Sequence, residues 1–229
     1  MATIALPIVT LGLGLILAVV DWIAVIRESR RLEYAAKPAT LVAIIAGAWL
    51  LALQTGGDRL AWWFVSALAF SLLGDILLML PGDRWFALGL GAFLIAQICY
   101  VTGLTPTLPP VGSLWLIIVI AALDLFVLPK IVCGVRDCGA PELRAPVVVY
   151  GIMLSLTLFS GWATWFRPSW SNGARLLASA GVALFFSSDL MLAWNRFVHR
   201  SRALHVAVIV AYHLAQLALA LVVGASVLW

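Results

Sequence analysis

The chain has 229 residues, of which 64% are hydrophobic and only 10% charged, against roughly 25% charged in a soluble domain. That composition excludes a water-soluble globular protein and predicts one transmembrane domain over residues 1–229. The net charge of +4 would suit a nucleic-acid binder, but the basic residues are spread over short loops between apolar runs, so their expected partners are membrane lipids and not nucleic acid.

Apolar runs of about 20 residues, the length a hydrocarbon core of about 30 Å asks of a helix, follow one another along the chain. They predict eight spans: Thr3 to Ile26, Pro38 to Leu53, Leu60 to Leu80, Arg84 to Gly103, Ser113 to Val132, Arg144 to Phe166, Gly173 to Trp194 and Ala203 to Trp229. Breakers separate them at Gly56-Gly57, Pro81-Gly82, Pro106 with Pro109-Pro110, Pro141 and Pro168. The runs are continuously apolar rather than alternating, which excludes a transmembrane barrel. The predicted fold is therefore an all-α polytopic helix bundle. The first run lacks a basic start and a small-residue cleavage site before Arg27, so it reads as a retained helix rather than a signal peptide.

Charge gives an orientation. Arg27, Arg30, Arg31, Lys37, Arg84, Lys130, Arg136, Arg144, Arg196, Arg200 and Arg202 fall in or beside the odd-numbered loops, and only Arg59, Arg167 and Arg175 fall at the other end. This positive-inside bias predicts cytoplasmic odd-numbered loops in a bacterial-type plasma membrane, with both termini outside. Many of the eleven tryptophans, among them Trp62, Trp63, Trp165, Trp170 and Trp229, stand at span ends and read as an interfacial belt. Cys99 lies in a span, while Cys133 and Cys138 flank the fifth loop without a second pair. No metal site and no cofactor are predicted.

The third span reads FSLLGDILLML around Asp75 and the seventh FFSSDLMLAW around Asp189, 114 residues later. Asp21 and Asp124 occupy the first and fifth spans. Four helices separate equivalent positions, so the halves would form a parallel four-helix repeat. A carboxylate in hydrocarbon costs roughly 2.5–3.5 kcal/mol on insertion scales, so each is a functional candidate. Asp75 and Asp189 carry that reading most strongly. Asp21 and Asp124 read equally well as residues that hydrogen-bond neighbouring helices. One shared site would require the third and seventh helices side by side, with their carboxyls within about 10 Å.

Other polar residues lie within reach of such a cavity. Gln97 and Tyr100 share a face of the fourth span, and Tyr212 and Gln216 a face of the eighth. Lys37 opens the second span and Asn195 closes the seventh. His213 reads as a helix-to-helix hydrogen-bonding residue. No nucleophile elbow, HExxH or phosphate loop is present.

The segments FSLLGDILLML, RWFALGLGAFLIAQICYVTGL, SDLMLAWNRF and AYHLAQLALA, with Lys37-Pro38 at the second span, resemble the YhhN-like lysoplasmalogenase family. Gln97 departs from that pattern, in which a histidine is expected before the aromatic residue. The resemblance implies eight spans and hydrolysis of the vinyl ether of a lysophospholipid substrate, a lysoplasmalogen, to a fatty aldehyde and a glycerophospho head group. That chemistry needs an acid for the β carbon, a carboxylate to stabilise the oxocarbenium ion and a base for water, roles that two carboxyls can divide. Asp75 and Asp189 are the expected catalytic pair. Lys37, Tyr100, Asn195, Tyr212 and Gln216 are the expected substrate-binding residues, Lys37 for the phosphate. The alternative is a proton-coupled transporter or lipid-binding protein that uses the same aspartates.

Overall fold

The structure is a computed structural model that describes residues 2–56 and 58–225. Its eight long helices are α1 Ala2–Ile26, α2 Arg30–Gln54, α3 Arg59–Met79, α4 Asp83–Leu104, α5 Trp115–Asp137, α6 Arg144–Ala163, α7 Asn172–Phe197 and α8 Arg202–Val223. Short 3-10 turns lie at Val111–Ser113, Pro141–Leu143 and Thr164–Phe166. All eight helices are long and apolar enough to cross a membrane. The predicted spans are thus all present, and this is an integral membrane protein. Gly57 and Trp229, the latter expected as an interfacial anchor and external end, lie outside the described residues.

Two boundaries differ from the sequence reading. The helix α2 begins at Arg30, two turns before Pro38, so Lys37 is inside it and buried rather than in a loop. In lipid, neighbouring helices can re-satisfy the backbone group that a proline frees, and Pro38 sits in α2 without ending it. Likewise α5 continues past Pro129 to Asp137, which leaves Asp124 near the middle of its helix.

Without water to drive helix association, packing relies on small residues that let backbones approach. The broadest contacts are α3 on α4, α1 on α2 and α7 on α8. Gly74 of α3 receives the Phe93 ring, and a Cβ there would stand 2.5 Å from it. Gly181 of α7 receives Leu219 in the same manner, at 2.8 Å. The two halves match further, since α2 packs on α8 and its counterpart α6 packs on α4. They diverge at their first helices: α1 packs on α2 and α8, while α5 packs on α6 and α7 and presents Ile118, Leu125 and Phe126 outward. At the ends, Asp58 accepts from Leu60 N–H and Ser171 from Ala174 N–H, capping α3 and α7. Arg167 donates to the Thr107 hydroxyl at 2.6 Å and to the Thr107 carbonyl at 2.8 Å, tying the α6–α7 loop to the α4–α5 loop.

Candidate functional site in the helix bundle

Alternation of helix direction brings the ends of α3, α5 and α7 to the same side as the starts of α4, α6 and α8. The intramembrane polar residues gather toward that side, in two centres with aromatic rings between them.

The first centre lies among α2, α3 and α8. Lys37 Nζ stands 2.9 Å from Asp75 Oδ1, and the Tyr212 hydroxyl donates to Asp75 Oδ2 at 2.7 Å. The ammonium also lies 5.6 Å from the Tyr212 ring centroid. Asp75 is 1% exposed and Lys37 8%, so neither charge is shared with solvent and each compensates the other. Beside them, on α1 and α8, Asp21 and His213 are fully buried. Trp22 Nε1–H donates to His213 Nδ1 at 3.1 Å. That bond puts the proton of a neutral imidazole on Nε2, which faces Asp21 Oδ2 at 3.9 Å. The expectation that His213 joins helices therefore agrees with its contacts.

The second centre lines a pocket among α4, α5, α6 and α7, to which α3 adds Leu78. Its walls are apolar, with Leu90, Phe93, Leu128, Ile131, Leu154 and Phe186 prominent, and among the described residues its polar side chains are Asp124, Tyr150 and Asp189. The Tyr150 hydroxyl donates to Asp189 Oδ2, and Gln97 Nε2 approaches the Tyr150 oxygen at 3.5 Å. Asp124 accepts from the Ser155 hydroxyl at 2.9 Å. Ser188, next to Asp189, spends its hydroxyl on the Val208 carbonyl of α8 at 3.0 Å, which fixes the Asp189 turn of α7 against that helix.

Phe93 stands between the two centres. It lines the pocket, and its ring lies 5.9 Å from that of Tyr212, the hydrogen-bond donor to Asp75. Phe185 touches Phe93, Tyr100 and Tyr212 edge-on. Deeper in the bundle the Tyr100 hydroxyl donates to Gln216 Oε1 at 2.7 Å.

The expected site is thus redistributed. Asp189 faces the pocket, while Asp75, Lys37, Tyr100, Tyr212 and Gln216 form the buried polar core behind its wall and do not line it. The helices α3 and α7 are not side by side as expected: α3 packs on α2, α4 and α8, and α7 on α5, α6 and α8, so both lean on α8. Asn195 accepts from Ser201 N–H at 2.7 Å and closes the α7–α8 turn. Tyr150, which sequence reasoning passed over, is the partner of Asp189. The half-repeat held a signal for it, because Tyr150 falls one residue from the position equivalent to Lys37. Each aspartate is met by a donor from the second helix of its own half. No cluster of metal-binding side chains is present among the described residues.

The model of the YhhN family matches residues 32–223. A protein of Mycobacterium bovis named lysoplasmalogenase is 29% identical over 178 residues, which are 77% of this chain and 65% of that protein. Lysoplasmalogenase TMEM86B of Homo sapiens is 30% identical over 76% of this chain and 67% of its own length. An uncharacterized membrane protein YhhN of Escherichia coli O157:H7 is 26% identical over 73% of this chain and 75% of its own. This chain thus spans about two thirds of the length of the mycobacterial relative. No solved structure matches.

Proposed function

The chain belongs to the YhhN family, and from that membership and the pocket we propose that it is a membrane hydrolase cleaving the vinyl ether of a single-chain lysophospholipid. The observation that carries the reading is the pocket itself. Its walls are apolar, and three polar side chains line it: Asp124, Tyr150 and Asp189. Such a cavity buries an aliphatic chain and leaves a few polar groups to orient the reacting bond. The relatives named lysoplasmalogenase support the choice of bond.

The acid is assigned to Asp189, since its partner is the Tyr150 phenol, whereas Asp75 is paired with the Lys37 ammonium. The Asp189 proton moves to the β carbon of the vinyl ether as the double bond's electrons form the new C–H bond. The oxocarbenium ion that results is stabilised by the Asp124 carboxylate. Water adds to the oxygen-bearing carbon of that ion, and Asp124 takes one of its protons. The hemiacetal then passes its hydroxyl proton to the glycerol oxygen as the C–O bond breaks, releasing a fatty aldehyde and a glycerophospho head group. Glycosidases meet a related cation with two carboxyls, which is an analogy of chemistry and not of fold. Substrate enters from the cytoplasmic leaflet, and both termini lie outside.

The buried Lys37–Asp75 pair gives a second reading some ground, because paired charges inside a bundle also serve proton-coupled carriers. Purified protein incubated with a vinyl-ether lysophospholipid separates the two. The hydrolase reading expects stoichiometric aldehyde and free glycerophospho head group. Uptake of intact lipid into vesicles without aldehyde would overturn it in favour of the carrier.

A further inference from the structure

We propose that Arg196 and Asp83 form a subsite for a zwitterionic phosphate–ammonium head group at the basic end of the pocket, Arg196 holding the phosphate and Asp83 the ammonium. This inference rests on the hydrolase reading above and names the head group that the same site accepts.

A phosphate needs a cation, and Lys37, the residue expected to supply it, is committed to Asp75 behind the pocket wall. Charge is costly in hydrocarbon, so a lysophospholipid keeps its head at the membrane interface and points its chain inward. With the vinyl ether at Asp189, the head lies toward the end of α7. There the pocket is bounded by Phe86, three residues into α4, and by Phe197, the last residue of α7. Their rings meet edge-on with centroids 5.6 Å apart. The Arg196 guanidinium stands over both, 3.9 Å from the Phe86 centroid and 5.5 Å from that of Phe197. Its side chain is 32% exposed, so it sits between the apolar wall and water.

The reach fits the substrate. Arg196 follows Asp189 by seven residues, so the two stand on one face of α7, about 10 Å apart along its axis. Seven bonds separate the β carbon of the vinyl ether from phosphorus, about 9 Å when extended, since three backbone bonds span about 3.8 Å. Asp83 brings the second charge, accepting from Arg196 Nη2 at 2.7 Å. A phosphate–ammonium head separates its charges by four bonds, about 5 Å, short enough to lie across both groups. Guanidinium has five N–H donors, so it can hold a phosphate and keep its bond to Asp83. The two phenyl rings beside the pair lower the local dielectric and strengthen its field. Other cations at that end are placed differently. Arg202 pairs with Glu28 at 3.0 Å, and Lys130 lies over the Trp194 ring at 5.9 Å, so neither sets a cation and a carboxylate together on the rings that bound the pocket.

Two probes test the subsite without turnover. Alkyl-ether lysophosphocholine has the head group but no vinyl ether, and alkyl-ether lysophosphatidate has the phosphate but no ammonium. In equilibrium binding to the purified protein, Arg196→Met should weaken both about tenfold, the loss expected for hydrogen bonds to a charged group. Asp83→Asn should weaken lysophosphocholine about threefold, as for a solvent-exposed ion pair. It should leave lysophosphatidate as tight or tighter, because the guanidinium is freed. Arg136→Gln, which removes an exposed cation paired with Asp137 and outside the pocket lining, should change neither. In turnover of vinyl-ether lysophosphocholine, Arg196→Met and Asp83→Asn should raise KM and leave kcat nearly unchanged. Should Arg196→Met fail to fold, Asp83→Asn decides alone. Equal weakening of both probes by Asp83→Asn, or of neither by folded Arg196→Met, would overturn the subsite. Wild-type protein that binds the probes in this pattern yet releases no aldehyde from the vinyl ether would leave the subsite standing and overturn the hydrolase reading.

Discussion

Lys37 and Asp75 illustrate what a residue costs when it is placed in hydrocarbon. Each is buried, and the 2.9 Å contact between them, with the Tyr212 hydroxyl on the second carboxylate oxygen, replaces the water both have lost. Removing one partner of such a pair costs about 3–5 kcal/mol, because the other is left uncompensated, while replacing both by apolar groups is often close to neutral. Lys37→Met should therefore lower thermal stability in detergent sharply, and Lys37→Met with Asp75→Leu should regain most of it. A double variant less stable than the single one would contradict the pairing. The carboxyls were legible in the sequence because an aspartate in an apolar run has few innocent explanations. Their partners were not. Lys37 stands before a proline and so imitates a helix start, and Tyr150 is a single phenol in a span whose other polar side chains within it are serines and threonines. The ammonium partner that sets Asp75 apart from Asp189 has no trace in spacing alone.

At the scale of helices, the close seam between α3 and α4 sets the pocket wall. Phe93 rests on Gly74, and from there it both lines the pocket and shields Asp75 from it. Gly74→Ala would place a methyl group 2.5 Å from the Phe93 ring, so the ring must turn into the pocket or the helices must part. The expected cost is about 1–3 kcal/mol, together with a weaker KM for lipid. Gly12→Ala, where a Cβ meets nothing within 4 Å, serves as the control and should leave thermal stability unchanged or slightly raised. Equal melting temperatures for the two variants would show that the seam is not close-packed. The number of helices could be read from apolar length, but which helices touch could not. Apolar spans carry little to distinguish their neighbours, so the arrangement of α3 and α7 against α8 rather than against each other emerged only from packing.

Across the whole molecule, the two halves use one plan for two purposes. In the first, the aspartate is sealed among α2, α3 and α8 with a lysine. In the second, the looser α5 leaves a pocket beside the aspartate, and a tyrosine takes the place of the lysine. The repeat seen around Asp75 and Asp189 thus pointed to both carboxyls without saying that only one would face a cavity. The basic residues at the Asp75 and Asp189 end make that end cytoplasmic in our reading. Cys138, exposed at the end of α5, reports on it once the exposed Cys133 is replaced by serine, since Cys99 is buried. In intact cells a membrane-impermeant maleimide should leave Cys138 unlabelled and should react with it after permeabilisation. Labelling in intact cells would invert the orientation and move the site to the outer leaflet.

The central claim is that hydrolysis takes place at the pocket carboxyl held by Tyr150. The most direct measurement is the rate of aldehyde release from a vinyl-ether lysophospholipid by purified Asp189→Asn, with size-exclusion profiles matched to wild type. Asparagine keeps the side chain's size and removes the transferable proton, so the rate should fall by about 10²–10⁴-fold, the loss typical of a general acid. Near-normal aldehyde release by folded Asp189→Asn would contradict the account.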